Sequence, residues 1–480
     1  MKGDNSIFKN AFFNILYKIT NIAFPMITVA YCARVLPVDG LGKISYVQNN
    51  ASYFLLLASL GIPAYGLREI AKYRDNKEKQ NKIFSDLLAI NFIFTSVSVI
   101  IYIVCLHMIP YFRQERWLYI IFGIPLILNF LNVDWLYQGV EEYSYIAIRN
   151  AVIKIASLIL TIIFIRDSDD IYTYALILSI FTSFNYILNI VHVRKHIKFR
   201  KPSHEIRKHI KPLLYLSLSS ISTVLYAQMD ITMLGFIKGH SSVAYYTYSQ
   251  KIISVFVTLL TTITGVFLPR LSYYFENNKK GFNRLISLGL NFNMMISIPT
   301  CIGIIFLAEP LILLYLGADF MSAVSSLSIL AFMVPLKSIG DLVCYQVMMS
   351  AGQELKLMVS YIITCVVNFI NNVIMIPKMG TLGAAIASVI SELLVFLFVF
   401  YYSRNYFHIE DKKSFVKNTS AVITGTLLMS LWLVGCNNIF DNIYIHLIVG
   451  FIVSVVIYFV TNIVFGNTLI LDFLLRRKSE

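Results

Sequence analysis

Long apolar segments alternate with short polar segments along the whole chain. A helix needs roughly 20 mostly apolar residues to cross the hydrocarbon core of a bilayer. We therefore predict an all-α integral membrane protein with about fourteen transmembrane helices and no room for a soluble domain. The predicted spans cover residues 10–33, 44–63, 83–107, 117–137, 147–165, 172–192, 213–237, 244–268, 285–307, 322–349, 356–376, 381–402, 416–436 and 443–465.

The composition supports a surface that faces lipid. Of the 480 residues, 57% are hydrophobic and only 14% are charged. A soluble domain carries roughly a quarter charged residues, because its surface must face water. The net charge of +14 does not indicate nucleic-acid binding, because the charges lie in short connections and form no continuous basic face.

Lys and Arg residues predict the orientation of the chain. Of the 40 such residues, 29 lie in or beside the N-terminus, the even-numbered connections and the C-terminus. The odd-numbered connections hold 7. Because cytoplasmic loops carry the excess of Lys and Arg, both termini are predicted to be cytoplasmic. The other four are Lys18, Lys154, Lys251 and Lys337, which fall inside predicted spans.

The most basic connection divides the chain into lobes. We predict an N-terminal lobe at 1–192, a basic cytoplasmic linker at 193–211, a C-terminal lobe at 212–402, and two further spans with a basic tail at 403–480. Each lobe has six spans, so a repeat would be parallel, an arrangement used by transporters that rock two lobes around a central cavity.

Two short matches between the lobes favour such a repeat. The segment 42–48 opens span 2 as 244–250 opens span 8, with Tyr and Gln in the same places. Gly139 and Glu141 before span 5 resemble Gly352 and Glu354 before span 11.

Polar residues form a stripe along the first predicted span. They recur every three or four residues and therefore share one helical face. This stripe predicts the lining of a hydrated cavity, although bonds to neighbouring helices, with Lys18 reaching the cytoplasmic interface, would also explain it. The stripe consists of Asn10, Asn14, Lys18, Asn21, Pro25 and Thr28.

These residue types suit a sugar diphosphate. Neutral amides and hydroxyls offer hydrogen bonds to sugars, and a lysine can hold a phosphate as a point charge. We expect Lys18 and Lys251 to contact a diphosphate. The expected polar lining for the sugars is Asn14, Asn21, Thr28 and Asp230.

Charged residues inside the spans also have a structural interpretation. Asp230 and Lys251 are placed to pair across the hairpin of spans 7 and 8. Lys337 and Asp341, four residues apart in span 10, predict an ion pair on one helical face that is structural or couples transport to an ion. No nucleotide-binding, metallopeptidase or nucleophile motif occurs, so we expect no enzyme, cofactor or metal.

Four segments resemble bacterial polysaccharide repeat-unit flippases of the Wzx type. This family belongs to the multidrug/oligosaccharidyl-lipid/polysaccharide exporter superfamily. The segments are 33–48, with Pro37 where the family usually has Gly, then 134–155, 228–252 and 376–392. The recognisable positions are Asp134, Trp135, Gly139, Glu142, Asp230, Gly235, Tyr246 and Lys251.

The resemblance implies a lipid-linked substrate. Such a flippase moves oligosaccharide units on undecaprenyl diphosphate from the inner to the outer leaflet of the bacterial inner membrane, by alternating access, for O-antigen, capsule or exopolysaccharide assembly. A polysaccharide polymerase, chain-length machinery and a coupling H⁺ or Na⁺ are the implied partners. The alternatives are a drug or cation antiporter of the same superfamily and a membrane polysaccharide polymerase or ligase.

Overall fold

The computed structural model describes residues 20–202, 206–265, 268–440 and 442–476. All regular secondary structure in these ranges is helical. The chain divides into two compact units, and the division falls between Gly235 and Phe236.

The first unit begins with α1, whose described part covers residues 20–35. The helices that follow it are α2 (Val38–Ser59), α3 (Ile62–Lys72), α4 (Lys77–Met108), α5 (Pro110–Gln114), α6 (Arg116–Ile127), α7 (Asp134–Gly139), α8 (Tyr143–Phe164), α9 (Ile171–Val193) and α10 (Arg207–Lys238), whose last three residues belong to the second unit.

The second unit contains the remaining helices. They are α11 (His240–Gly265), α12 (Leu268–Asn277), α13 (Lys279–Phe306), α14 (Ala308–Tyr315), α15 (Val324–Leu330), α16 (Met333–Val343), α17 (Glu354–Met379), α18 (Thr381–Ser403), α19 (Lys412–Ile439), α20 (Ile443–Val464) and α21 (Thr468–Arg476).

The predicted class of an all-helical, multi-pass membrane protein is confirmed. Among the described residues, nine helices are long and apolar enough to cross a bilayer, and eleven if each of two bent pairs is one span. The exact number of fourteen stays a prediction. The first predicted span begins before the described residues, and predicted span 4 is interrupted between α6 and α7 by residues 128–133. Pro125, which lacks an N–H donor, lies in the last turn of α6.

The surface of α8 shows which solvent the helices meet. Ile148 and Val152 are more than half exposed, whereas Arg149 and Asn150 on another side are buried. Water would select the opposite arrangement, because exposed apolar stripes of this size cause aggregation. The outward-facing apolar side chains therefore contact lipid.

The two units repeat the same helix start. Asn76 precedes α4 and its side chain accepts a hydrogen bond from the N–H of Lys79 at 3.0 Å. Asn278 precedes α13 and accepts from the N–H of Gly281 at 2.9 Å. Such a cap satisfies an N–H that the first helical turn leaves without a partner.

A second asparagine, five residues further on, fixes a distant segment in each unit. The side chain of Asn81 accepts from the N–H of Lys198 at 3.0 Å. Asn283 accepts from the N–H of His408 at 3.1 Å. The segment after α9 is thus held against the start of α4, as the segment after α18 is held against the start of α13.

The turns before α8 and α17 also correspond. The N–H of Glu142 donates to the carbonyl of Tyr137 at 2.8 Å, and the N–H of Gln353 donates to that of Met348 at 3.0 Å. The left-handed residue of each turn is Glu141 (φ 61°) or Gly352 (φ 64°). The predicted match of Gly139 with Gly352 is therefore wrong by two residues. Each turn needs one residue with a left-handed backbone. This residue is Glu in the first unit and Gly in the second.

Candidate functional site

The first unit has hydrogen-bonded polar side chains in its interior. The side-chain amide of Asn49 on α2 donates to the hydroxyl of Thr232 on α10 at 2.9 Å. The amide of its neighbour Asn50 donates to the hydroxyl of Tyr119 on α6, also at 2.9 Å. Both asparagines are buried. These polar groups join helices, because each would otherwise lie in apolar surroundings without a partner.

Asp134 forms the centre of a charged network. The guanidinium of Arg149 lies 2.8 Å from its carboxylate, and the side-chain amide of Asn189 donates to the same oxygen at 2.9 Å. Arg149 also donates to the side-chain oxygen of Asn189. The network joins α7, α8 and α9. Neither Arg149 nor Asn189 was among the predicted site residues. The position of Arg149 in an apolar part of the 134–155 segment could have indicated a buried charge with a partner.

Two other motif positions, Trp135 and Gly139, pack α7 against α3. A methyl group added to Gly66 would lie 2.5 Å from the Trp135 ring. One added to Gly139 would lie 2.8 Å from the side chain of Ile70. The small residues therefore allow the two helices to approach closely.

Gly235 and Tyr246 likewise hold helices together. A methyl group on Gly235 would overlap the ring of Tyr46. The hydroxyl of Tyr246 is 2.8 Å from that of Ser388, so it connects α11 with α18. Glu142, the remaining motif position, lies beside two histidines.

Gly235→Ala is expected to lower the free energy of unfolding by about 1–3 kcal/mol, because an overpacked contact forces Tyr46 to move. Thermal unfolding of the purified protein in detergent measures the loss. Gly303→Ala is the matched control: it is also helical, and no atom lies within 4 Å of its added methyl. Equal melting temperatures for the two variants would contradict the proposed close contact.

The predicted substrate residues are only partly within the described chain. Asn14 and Lys18 lie outside the described residues. Asn21 is half-buried on α1, and Thr28 is buried with its hydroxyl donating to the carbonyl of Phe24 at 3.0 Å. Their role in sugar binding stays a prediction.

Asp230 and Lys251 belong to different units. Asp230 is buried on α10. Lys251 is exposed on α11, and its ammonium lies 4.4 Å from the ring centre of Tyr248. A cation held over an aromatic face keeps its charge available on the other side. The predicted pairing of Asp230 with Lys251 stays a prediction.

Lys337 pairs with a residue that the sequence did not suggest. Its ammonium lies 3.6 Å from the carboxylate of Glu392 on α18, and the predicted ion pair with Asp341 stays a prediction. Glu392 is buried, and a buried carboxylate needs a charged or hydrogen-bonding partner. Asp341 is close enough to interact electrostatically with both residues. The three groups form a charged cluster between α16 and α18.

Lys154 is a further cation within a predicted span, and no role was predicted for it. It lies on α8 with Asn150, Ser157 and Thr161, at intervals of three or four residues, so the four share a helical face. Lys154 makes no ion pair with the residues that the structure describes. The apolar stripe with Ile148 lies elsewhere on the helix.

Comparison with known proteins gives the family. Residues 7–275 match the family model described as "Polysaccharide biosynthesis protein". The chain belongs to this family. A family relative, a candidate O-antigen transporter of Shigella dysenteriae, is 25% identical over 400 residues, which cover 82% of this chain and 98% of the relative. The predicted resemblance is confirmed.

Solved structures show that the chain has a transporter fold. The lipid II flippase MurJ, in an inward closed conformation, superimposes with a TM-score of 0.75 at 17% identity, covering 97% of this chain and 99% of MurJ. An inward-facing multidrug resistance MATE family transporter of the MOP superfamily gives a TM-score of 0.59 at 19% identity. The match covers 81% of this chain and 97% of that transporter. These likenesses show the fold, which agrees with the predicted all-helical membrane class.

Proposed function

We propose that this member of the polysaccharide biosynthesis family is a flippase. Its substrate is an oligosaccharide repeat unit on undecaprenyl diphosphate, which it moves from the cytoplasmic to the outer leaflet of the bacterial inner membrane. The product supplies surface polysaccharide, such as O-antigen, capsule or exopolysaccharide. Family membership, the O-antigen transporter of Shigella dysenteriae and the fold shared with MurJ support this proposal.

The observation that carries the proposal is the polar face of α8. Lys154 has no carboxylate partner among the described residues and shares its face with one amide and two hydroxyls. An unpaired charge inside a span is costly, so it indicates a function. A lysine beside neutral hydrogen-bonding groups matches a substrate with an anionic diphosphate and neutral sugars. Lys18 and Lys251 are proposed as further diphosphate contacts.

The transport cycle in this proposal is alternating access. Two six-helix lobes, at 1–192 and 212–402, enclose a hydrated central cavity, with the linker at 193–211 and both termini in the cytoplasm. The corresponding turns and caps of the two units support a parallel repeat. A coupling H⁺ or Na⁺, a polymerase and chain-length machinery complete the proposed pathway.

The carboxylates of the first unit favour a flippase over a cation antiporter. An antiporter needs a carboxylate that can exchange its cation. Asp134 is held by Arg149 at 2.8 Å, and Asp86 lies 3.7 Å from the ring of His209. Asp230 also has an interaction partner. These engaged acids are poor candidates for exchangeable ion ligands.

Deletion of the gene is expected to trap lipid-linked repeat units in the cytoplasmic leaflet. When the deletion strain is complemented with Lys154→Ala or Lys251→Ala, the rate of translocation should be at least about tenfold lower than with the wild type. The reason is that a charge-assisted hydrogen bond contributes about 1.5–3 kcal/mol. Accessibility of the lipid-linked sugar to a membrane-impermeant lectin measures the leaflet.

Lys378→Ala is the control, because Lys378 is an exposed lysine in the last turn of α17. Lys154→Arg should retain more transport than Lys154→Ala. Normal leaflet distribution in the deletion strain would refute the flippase function. Normal transport in both alanine variants would instead remove only the lysine assignment.

A further inference from the structure

Three potential metal ligands converge at one end of the first unit. Glu142 immediately precedes α8, His192 lies in the last turn of α9, and His196 follows in the next turn. The carboxylate of Glu142 is 2.7 Å from Nε2 of His196 and 3.5 Å from Nε2 of His192. One ligand atom from each residue lies within 4.8 Å of the other two.

The converging atoms are shielded from solvent, and Glu142 forms an ion pair with each histidine. Oε2 of Glu142 and Nε2 of both histidines have no partner of acceptable hydrogen-bond geometry. Most buried polar atoms are hydrogen-bonded, and each exception costs free energy. A single cation between the three atoms would satisfy all of them.

The separations fit a small transition-metal ion. Zn²⁺ binds imidazole nitrogen at about 2.0–2.1 Å and carboxylate oxygen at about 2.0–2.2 Å. Tetrahedral angles then place neighbouring ligand atoms about 3.3 Å apart. The distances of 2.7 and 3.5 Å bracket this value, so small side-chain movements complete the site. Two histidines and one glutamate leave the fourth position to water.

Packing holds the ligands in place. The ring of His192 stacks on that of Tyr145 with centroids 3.8 Å apart and planes at 9°. The Tyr145 hydroxyl donates to the carbonyl of Leu188 at 2.9 Å, which fixes the stack to α9. Val193, next to His192, and Ile197, next to His196, are buried in the core of the unit. Ligands positioned in this way pay little entropy on binding an ion.

The second unit shows that the fold does not need these ligands. The equivalent turn places Gln353 where the first unit has Glu142. The last turn of α18 and the segment after it place Tyr402 and Tyr406 where the first unit has His192 and His196. The ammonium of Lys356 lies 5.6 Å from the ring centre of Tyr402, in place of the Tyr145 stack. The same hairpin therefore packs without a metal-binding residue.

We propose that Glu142, His192 and His196 bind one Zn²⁺ ion. The ion ties the start of α8 to the end of α9 and to the beginning of the basic segment at 193–211. This site is independent of the flippase proposal, since it concerns the bracing of one unit and not the substrate.

Full-length protein purified in detergent, stripped with a chelator and dialysed against Zn²⁺, is expected to retain one Zn²⁺ per chain by elemental analysis. His196→Ala and Glu142→Gln should bind about 100-fold or more weakly. His408→Ala is the control, because His408 occupies a comparable connection in the second unit. Co²⁺ should give the intense visible absorption of a tetrahedral site in the wild type.

Equal Zn²⁺ retention by the wild type, His196→Ala and Glu142→Gln would mean an adventitious ion only and would overturn the proposal. So would a wild type that retains no Zn²⁺. If a variant fails to fold, the Co²⁺ spectrum of the wild type decides. Tetrahedral bands support the site, and the weak spectrum of hydrated octahedral Co²⁺ refutes it.

Discussion

Replacing Asp134 with alanine will lower the free energy of unfolding by about 3–5 kcal/mol, because it leaves a buried charge without its partner. The side chain of Arg149 is only 3% exposed, and Asp134 is its ion-pair partner at 2.8 Å. Asn189 loses a hydrogen-bond acceptor in the same substitution. We expect a large fall in the thermal unfolding temperature in detergent.

Glu141→Ala is the matched control. Glu141 lies in the same turn region and pairs with Arg74 at 3.1 Å, but both side chains are about half exposed. Exposed pairs contribute about 0–1 kcal/mol. Replacing Arg149 with methionine in the Asp134→Ala background should recover part of the loss, because no charge is then stranded. Similar losses in Asp134→Ala and Glu141→Ala would contradict the proposed network.

Glu392→Ala is expected to have the second large effect. It removes the carboxylate 3.6 Å from Lys337, whose side chain lies in a predicted span and is 36% exposed. Because the ammonium left without its partner is partly exposed, the expected cost is about 1–3 kcal/mol. The folded, monodisperse fraction after detergent extraction measures it, with Glu354→Ala as a control at the exposed start of α17.

A double variant separates a structural pair from a coupling pair. Lys337→Met with Glu392→Leu removes both charges and should recover most of the folded fraction. We expect this variant to retain translocation, as a structural pair requires. A stable double variant without transport would instead assign the pair to ion coupling.

The sequence predicted helices well because the membrane constrains their length and apolarity. Breaks inside spans were harder to predict. Leu60 and Gly61, between α2 and α3, both have a left-handed backbone, which is uncommon for leucine. Residues 128–133 interrupt predicted span 4, and only Asn129 and Asn132 of this segment are polar. Hydropathy averaged over a span does not detect such changes, because most side chains stay apolar while the backbone turns.

Interactions between residues on different helices were also not predicted from the sequence. Lys337 and Asp341 are neighbours by spacing, yet the ion pair forms with Glu392 on another helix. Glu142 and His196 meet although they are far apart in the sequence. Spacing identifies which residues share one helix face but not which helix lies opposite. The sequence therefore identifies polar residues inside spans, such as Asn49. It does not tell whether such a residue is buried between helices or lines a cavity.

The matching caps at Asn76 and Asn278 have an evolutionary consequence. Together with the second asparagine five residues later and the matching left-handed turns, they are the pattern that duplication and fusion of one gene would leave. A copy that crosses the bilayer an even number of times re-enters with the same topology as the original. An ancestor with an odd number of crossings would have inverted its duplicate.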